Sequence, residues 1–273
     1  MTRRKAHKSR KQTKRNRIIL TVVIAVAAGL FCFSAYKLVS AIISYSTAKN
    51  AYRDIQDIFT ETSSAEEVSA VEETATGKEP VWQYDFNKLL EINPDAIGYI
   101  KMRGEEKDLV DYPIVQGVDD SYYLNHMFDG RYNPSGAIFM ESYSRDRFDS
   151  RYAIIYGHNM RAGSRMFGCL DNYKNEDFFK EHQLMDVYAG DTHYVYRVFS
   201  AFTAPTGTYV FQNDGSNYSD FIWMMGQALG SSPYDTGVTI DDFNEDSHVL
   251  VLSTCLENYA ADKRFVVFLL RET

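Results

Sequence analysis

From Ile18 to Tyr36 the chain runs 19 residues without a charged side chain. As a helix, that many residues rise roughly 28 Å, close to the depth of a bilayer's hydrocarbon core. The segment therefore divides the chain before any fold is considered. Residues 1–17 hold nine Lys/Arg and no Asp/Glu, whereas the rest of the chain carries 20 basic against 37 acidic groups. The positive-inside rule keeps such a basic tail cytoplasmic and places the chain beyond the span outside. A cleaved signal peptide has a shorter apolar region that ends in a small-residue cleavage site. The expectation is thus an uncleaved signal-anchor at 18–36 in a single-pass cell-membrane protein, with the N-terminus cytoplasmic and the bulk of the chain extracellular. The basic tail alone has the composition of a nucleic-acid arm, but the adjoining span argues against a nucleic-acid partner.

Residues 37–59 can continue the helix beyond the span. From Glu61 to Pro80 the chain is rich in Ser, Thr, Ala and Glu and nearly lacks large apolar side chains, so it cannot bury enough surface to fold alone. Residues 37–80 read as an extracellular helix and flexible stalk, and 81–273 as one folded domain long enough to bury a sizeable core. Within that domain Asp85 can cap a short helix carrying Phe86, Leu89 and Leu90 on one face, which Asn93-Pro94 ends. Eight short apolar runs come next, at 97–102, 109–115, 137–140, 152–157, 184–188, 193–202, 248–254 and 264–270. Their turn-separated spacing argues for a mainly β domain, an antiparallel barrel or sandwich. Two helices interrupt it, one at Glu176–His182 and one from about Tyr218 to Leu229. The second has Ser219 as candidate cap and an apolar stripe of Phe221, Met224, Met225, Ala228 and Leu229. The stripe reads as core packing, and its place before the last strands sets it beside the candidate site.

The chemistry lies at strand ends. The runs ending in Cys255 and beginning at Arg264 can pair antiparallel, which sets a thiol beside a guanidinium. The run Tyr152–Tyr156 opens into Gly157-His158-Asn159-Met160, placing an imidazole at another strand end. A thiol titrates near 8.5, so it needs a nearby cation to be nucleophilic at neutral pH. His158 can then act as general acid and base, and Arg264 can stabilise the oxyanion of acyl transfer. Cys32 lies in the apolar run, and Cys169 reads as a small buried filler. No Cys-x-x-Cys or His-rich spacing suggests a metal or a disulfide framework, and no cofactor is expected. His7, His126, His182, His193 and His248 are taken as structural.

His158 precedes Cys255 by 97 residues, the reverse of the papain-type order. Together with Tyr156-Gly157-His158-Asn159-Met160, Leu252-Ser253-Thr254-Cys255 and Arg264, the pattern resembles the sortases, cysteine transpeptidases of Gram-positive cell walls. Leu90 through Ile100, Asp111 through Gln116, Tyr122 through His126 and Gly136 through Phe139 are similar to class B members in particular. The resemblance implies an eight-stranded sortase-like barrel with Cys255, His158 and Arg264 catalytic at one end and a longer helix before the cysteine strand. It further implies a secreted protein bearing a C-terminal sorting signal as substrate, cut through a Cys thioester, and a peptidoglycan precursor amine as acceptor. Ser253, Thr254 and Asn159 are substrate neighbours by position, and no metal site carries over. Three alternatives stay open: a sortase that polymerises pilins on a Lys acceptor, a plain cysteine protease, and a non-catalytic surface-binding β-domain with a buried cysteine.

Overall fold

The computed structural model describes residues 2–61, 85–104, 109–160, 165–255 and 262–272. It divides into two compact units, Met1–Lys49 and Asn50–Thr273. The first is helical only, the beginning of α1 (Thr2–Glu61). Its apolar side chains from Ile18 to Ile43 are exposed, and the helix contains a segment long and apolar enough to cross a membrane.

The second unit is built on a barrel. After α2 (Phe86–Ile92) come β1 (Ala96–Met102), β2 (Asp111–Val115), β3 (Ile138–Met140) and β4 (Tyr152–Gly157). A two-stranded ribbon, β5 (Asn159–Met160) with β6 (Arg165–Met166), precedes α3 (Glu176–Glu181). The chain continues through β7 (Leu184–Ala189), β8 (Thr192–Pro205), α4 (Tyr209–Gln212), α5 (Tyr218–Ser231), β9 (Val249–Cys255) and β10 (Lys263–Arg271). Eight of these strands close in the order β1-β2-β3-β4-β9-β10-β8-β7. All eight apolar runs read from the sequence are barrel strands. The barrel is not wholly antiparallel, however, because β2 pairs with β3 and β4 with β9 in parallel. Parallel neighbours need a long crossover instead of a hairpin, and residues 116–137 and 158–248 supply the two crossovers.

The second crossover carries α5 onto the sheet. Phe221, Met224, Met225 and Ala228 are buried against Tyr152 and Ile154 of β4, Val249 and Val251 of β9, and Val266 and Phe268 of β10. Strands covered on both faces read as continuous apolar runs without alternation, which is why 249–252 and 265–269 are uniformly apolar. The helix is capped by Asn217, whose side chain accepts from the Asp220 N–H at 3.2 Å. Ser219, the expected cap, lies inside the first turn. Asp85 caps α2 as expected, accepting from the Asn87 N–H at 3.1 Å.

Residues 50–57 at the far end of α1 belong to the barrel unit. Tyr52 and Ile55 are buried, and the Gln56 amide donates to the Asp111 carbonyl at 2.7 Å. Within the span expected to be extracellular helix and flexible stalk, 37–80, residues 50–57 are therefore helix packed on the barrel. Residues 62–84, including the expected domain start near Trp82, lie outside the described residues.

An ionisable group, the Glu141 carboxyl, is sealed beside β3. Glu141 comes directly after β3 and is fully buried, with Oε1 accepting from Ser144 Oγ at 2.7 Å and from the Ile154 N–H of β4 at 2.9 Å. Burial pushes its carboxyl up, only partly offset by hydrogen bonds from Tyr143, Ser144 and Ile154. A raised folded-state value means that the stabilisation is complete below the unfolded carboxylate range and is lost as pH rises through the folded value. Glu141→Gln keeps an acceptor without the charge. Its melting temperature should therefore gain on that of the unsubstituted protein as pH is raised from about 4 to about 8, read from paired thermal melts.

Candidate active site

Strand register places the candidate residues. In the parallel pair β4–β9, Tyr156 stands opposite Ser253 and Gly157 opposite Thr254. In the antiparallel pair β9–β10, Cys255 stands opposite Arg264. His158 is the residue after Gly157 and Cys255 the residue after Thr254, so three adjacent strands deliver His158, Cys255 and Arg264 at one end of the barrel. The Cys255 side chain lies outside the described residues, as does the 256–261 loop.

His158 and Arg264 line a cleft of about 200 Å³ together with Ser253, Thr254, Tyr156, Asp120 and Leu124. The His158 ring is oriented by the main chain, with Nε2 2.7 Å from the Leu124 carbonyl. A carbonyl only accepts, so Nε2 carries a proton and Nδ1 is the atom at which the neutral and charged rings differ. Gly157 lets this strand end close down, since a Cβ there would stand 2.5 Å from Ile138 Cδ1 and 2.6 Å from Phe167 Cδ2. Arg264 Nη1 donates to the Lys263 carbonyl at 2.9 Å. Burial pushes the Tyr156 phenol well above its ordinary value, the Glu141 and Asp120 carboxylates add to the rise, and the Arg264 guanidinium opposes it. The cleft thus holds both signs of charge at close quarters.

Ser253 and Thr254 are each 1% exposed, and their hydroxyls have no hydrogen-bond partner among the described residues. A buried hydroxyl left unpaired costs about 1–3 kcal/mol, so a ligand able to bond it would relieve a real penalty. Asn159, expected beside the substrate, is not among the cleft's described lining. Its amide instead donates to Asp171 at 2.8 Å, tying β5 to the 3-10 turn Gly168–Lys174. Nor does any described lining residue come from α5, although Tyr156 of the cleft also packs against the cluster that α5 forms with β4, β9 and β10. Asp120 and Leu124 were not singled out from the sequence. The Asp119-Asp120 pair before the turn Tyr122–Leu124 is a detectable signal, and Asp120 Oδ1 holds the loop by accepting from the Ser142 N–H at 2.7 Å. The Leu124 contribution is a backbone carbonyl and leaves no residue-type signature. Among the described residues, no group of three or more His, Cys, Asp and Glu could hold a metal ion.

No family model matches the chain. Sortase B of Listeria monocytogenes is 26% identical over 230 residues, covering 84% of this chain and 87% of that protein. Sortase B of Staphylococcus aureus is 29% identical over 185 residues, covering 67% and 72%. A solved Staphylococcus aureus sortase B–substrate complex shares the fold, with a TM-score of 0.68 at 24% identity over 85% of this chain and 99% of that one. The chain is thus similar in sequence to class B sortases and shares their fold.

Gly157→Ala tests the placement of the imidazole. The added methyl cannot fit without moving the end of β4, and a displacement on the order of 1 Å can cost about 100-fold in rate. Thioester formation should fall by roughly that factor, while the overpacked strand loses about 1–3 kcal/mol of stability. Single-turnover kinetics and a denaturant melt measure the two.

Proposed function

We propose that this chain is a membrane-anchored class B sortase, which cleaves the C-terminal sorting motif of a secreted protein and passes the acyl group to the amine of a cell-wall precursor. The observation that carries the reading is the strand register, with Cys255 opposite Arg264 and Thr254 opposite Gly157. In this reading the segment 18–36 holds the protein in the cell membrane, with 1–17 cytoplasmic and the barrel extracellular.

Cys255 is the nucleophile. Its thiolate attacks the carbonyl of the sorting-motif peptide bond, and the negative charge that builds on oxygen is met by the Arg264 guanidinium. As the C–N bond breaks, His158 gives the Nδ1 proton to the departing amine, leaving a thioester and a neutral imidazole. The acceptor amine then attacks the thioester, His158 takes its proton, and the thiolate leaves with the new amide complete. Ser253 and Thr254, with hydroxyls buried beside the cleft, supply hydrogen bonds to the bound peptide. A solved Staphylococcus aureus structure of this fold is a sortase B–substrate complex, which supports reading this chain as one that binds a substrate.

Incubating the protein with a library of sorting-signal peptides and trapping the adduct by mass spectrometry tests the reading. A thioester mapping to Cys255, discharged to a new amide by an added amine, is the expected result. Release only as hydrolysed acid would indicate a protease, and absence of any adduct a binding domain. Cys255→Ala should form no thioester. Arg264→Lys should lose roughly 100-fold in acylation rate, the scale of a missing oxyanion donor, because an ammonium does not reproduce the planar fork.

A further inference from the structure

The hydroxyl of Tyr52, on the end of α1, reaches the loop that holds His158. Tyr52 is buried, and its hydroxyl donates to the Gly136 carbonyl at 2.8 Å while accepting from the Phe128 N–H at 3.2 Å. Both partners sit on the 125–137 loop, which leaves the turn Tyr122–Leu124 and returns to β3. Gly136 has φ +61 and lies flat against the turn, so that a Cβ there would stand 2.6 Å from the Tyr123 carbonyl oxygen and 2.8 Å from that of Leu124. The Leu124 carbonyl is the group 2.7 Å from His158 Nε2. One hydroxyl therefore fixes the residue that backs the carbonyl that orients the imidazole.

A second path from the same side chain ends on the same histidine. The Tyr52 ring packs edge-on against Tyr112, with centroids 5.3 Å apart. The Tyr112 hydroxyl accepts from the Met166 N–H at 2.9 Å. Met166 is a non-glycine residue in the left-handed region, at φ 56, a conformation that persists only where the surroundings hold it. The next residue, Phe167, donates its N–H to the His158 carbonyl at 3.0 Å. Both the ring and the backbone of His158 are thus approached from Tyr52.

We propose that Tyr52 is a positioning residue for catalysis: through Gly136 and the Leu124 carbonyl it holds the His158 imidazole in the tautomer and orientation that proton transfer requires. The inference rests on the general acid and base role assigned to His158. It gives the end of α1 a task in the reaction besides tethering. A hydrogen bond to Leu124 favours the protonated ring, so loosening it lowers the pH at which His158 titrates.

The test uses the full chain in detergent micelles, with histidine nitrogens labelled for NMR and the His158 signals assigned by their loss in His158→Gln. Tyr52→Phe keeps the ring against Tyr112 and removes only the hydroxyl. The expected result is a fall in the His158 titration midpoint of roughly half a pH unit or more, with kcat for acylation reduced about 10-fold and KM for the peptide within about twofold. Asp120, Tyr156, Arg264 and Cys255 share that end of the barrel and are the same in both proteins, so their influence cancels in the comparison. Gly136→Ala, which pushes on the Leu124 carbonyl directly, should move the midpoint in the same direction. Gln56→Ala loosens the same helix from Asp111 and should lower the melting temperature without moving the midpoint. An unchanged midpoint and kcat in Tyr52→Phe overturns the proposal, and so does an equal shift in Gln56→Ala, which would make the effect one of general helix packing. The midpoint is read without turnover. Failure to form any thioester would therefore remove the enzymatic reading, whereas an active protein with an unmoved midpoint would remove only the role of Tyr52.

Discussion

The arrangement depends on the parallel pairing of β4 with β9. That register sets Gly157 against Thr254 and so fixes which residues come next at the rim. A slip of one residue turns every side chain of a strand to its opposite face. Here it would carry His158 out of line with Cys255 while leaving the β9–β10 hairpin, and hence the Cys255–Arg264 pairing, intact. The thiol and guanidinium stand on strands consecutive in the chain, but the imidazole is brought by a contact between segments almost a hundred residues apart.

Such a register must be held from both sides, and it is. The α5 stripe covers the outer face of β4, β9 and β10, and Glu141 grips the β4 backbone at Ile154 with a buried carboxyl. At the rim the packing is tight enough that Gly157 admits no Cβ. The polar groups are treated differently. The Ser253 and Thr254 hydroxyls lie buried and unpartnered among the described residues, a local penalty tolerated beside a cleft that takes a peptide in the proposed reaction. Order in the strands and unmet hydrogen bonding at their ends are what a site preorganised for a ligand requires.

Much of the barrel was legible because its strands are short apolar runs separated by turn signals, and those under α5 are apolar on both faces. The adjacency of Cys255 and Arg264 was legible too, since a hairpin joins them. Parallel pairing was not, because it depends on crossovers that no local pattern announces. The expected role of Asn159 rested on its place next to His158, but the β5–β6 ribbon turns its amide to Asp171. The cap of α5 was misplaced by two residues because Asn217 and Ser219 are both competent cap residues, and tertiary packing decides between them. Leu124 acts through its carbonyl, which every residue type possesses. Tyr52 sits in a stretch that reads only as helix continuing beyond the span, and nothing short of the folded barrel reveals that its ring and hydroxyl have partners there.

The central claim is that His158 and Arg264 serve one thioester-forming centre because strand register delivers them to the same rim. A double-mutant cycle on acylation rate, using His158→Ala, Arg264→Ala and the pair, tests this most directly. Groups acting as a unit on a single transition state are strongly non-additive, so the doubly substituted protein should be little slower than the slower single variant. Losses that multiply would show two groups acting independently, and would contradict the account.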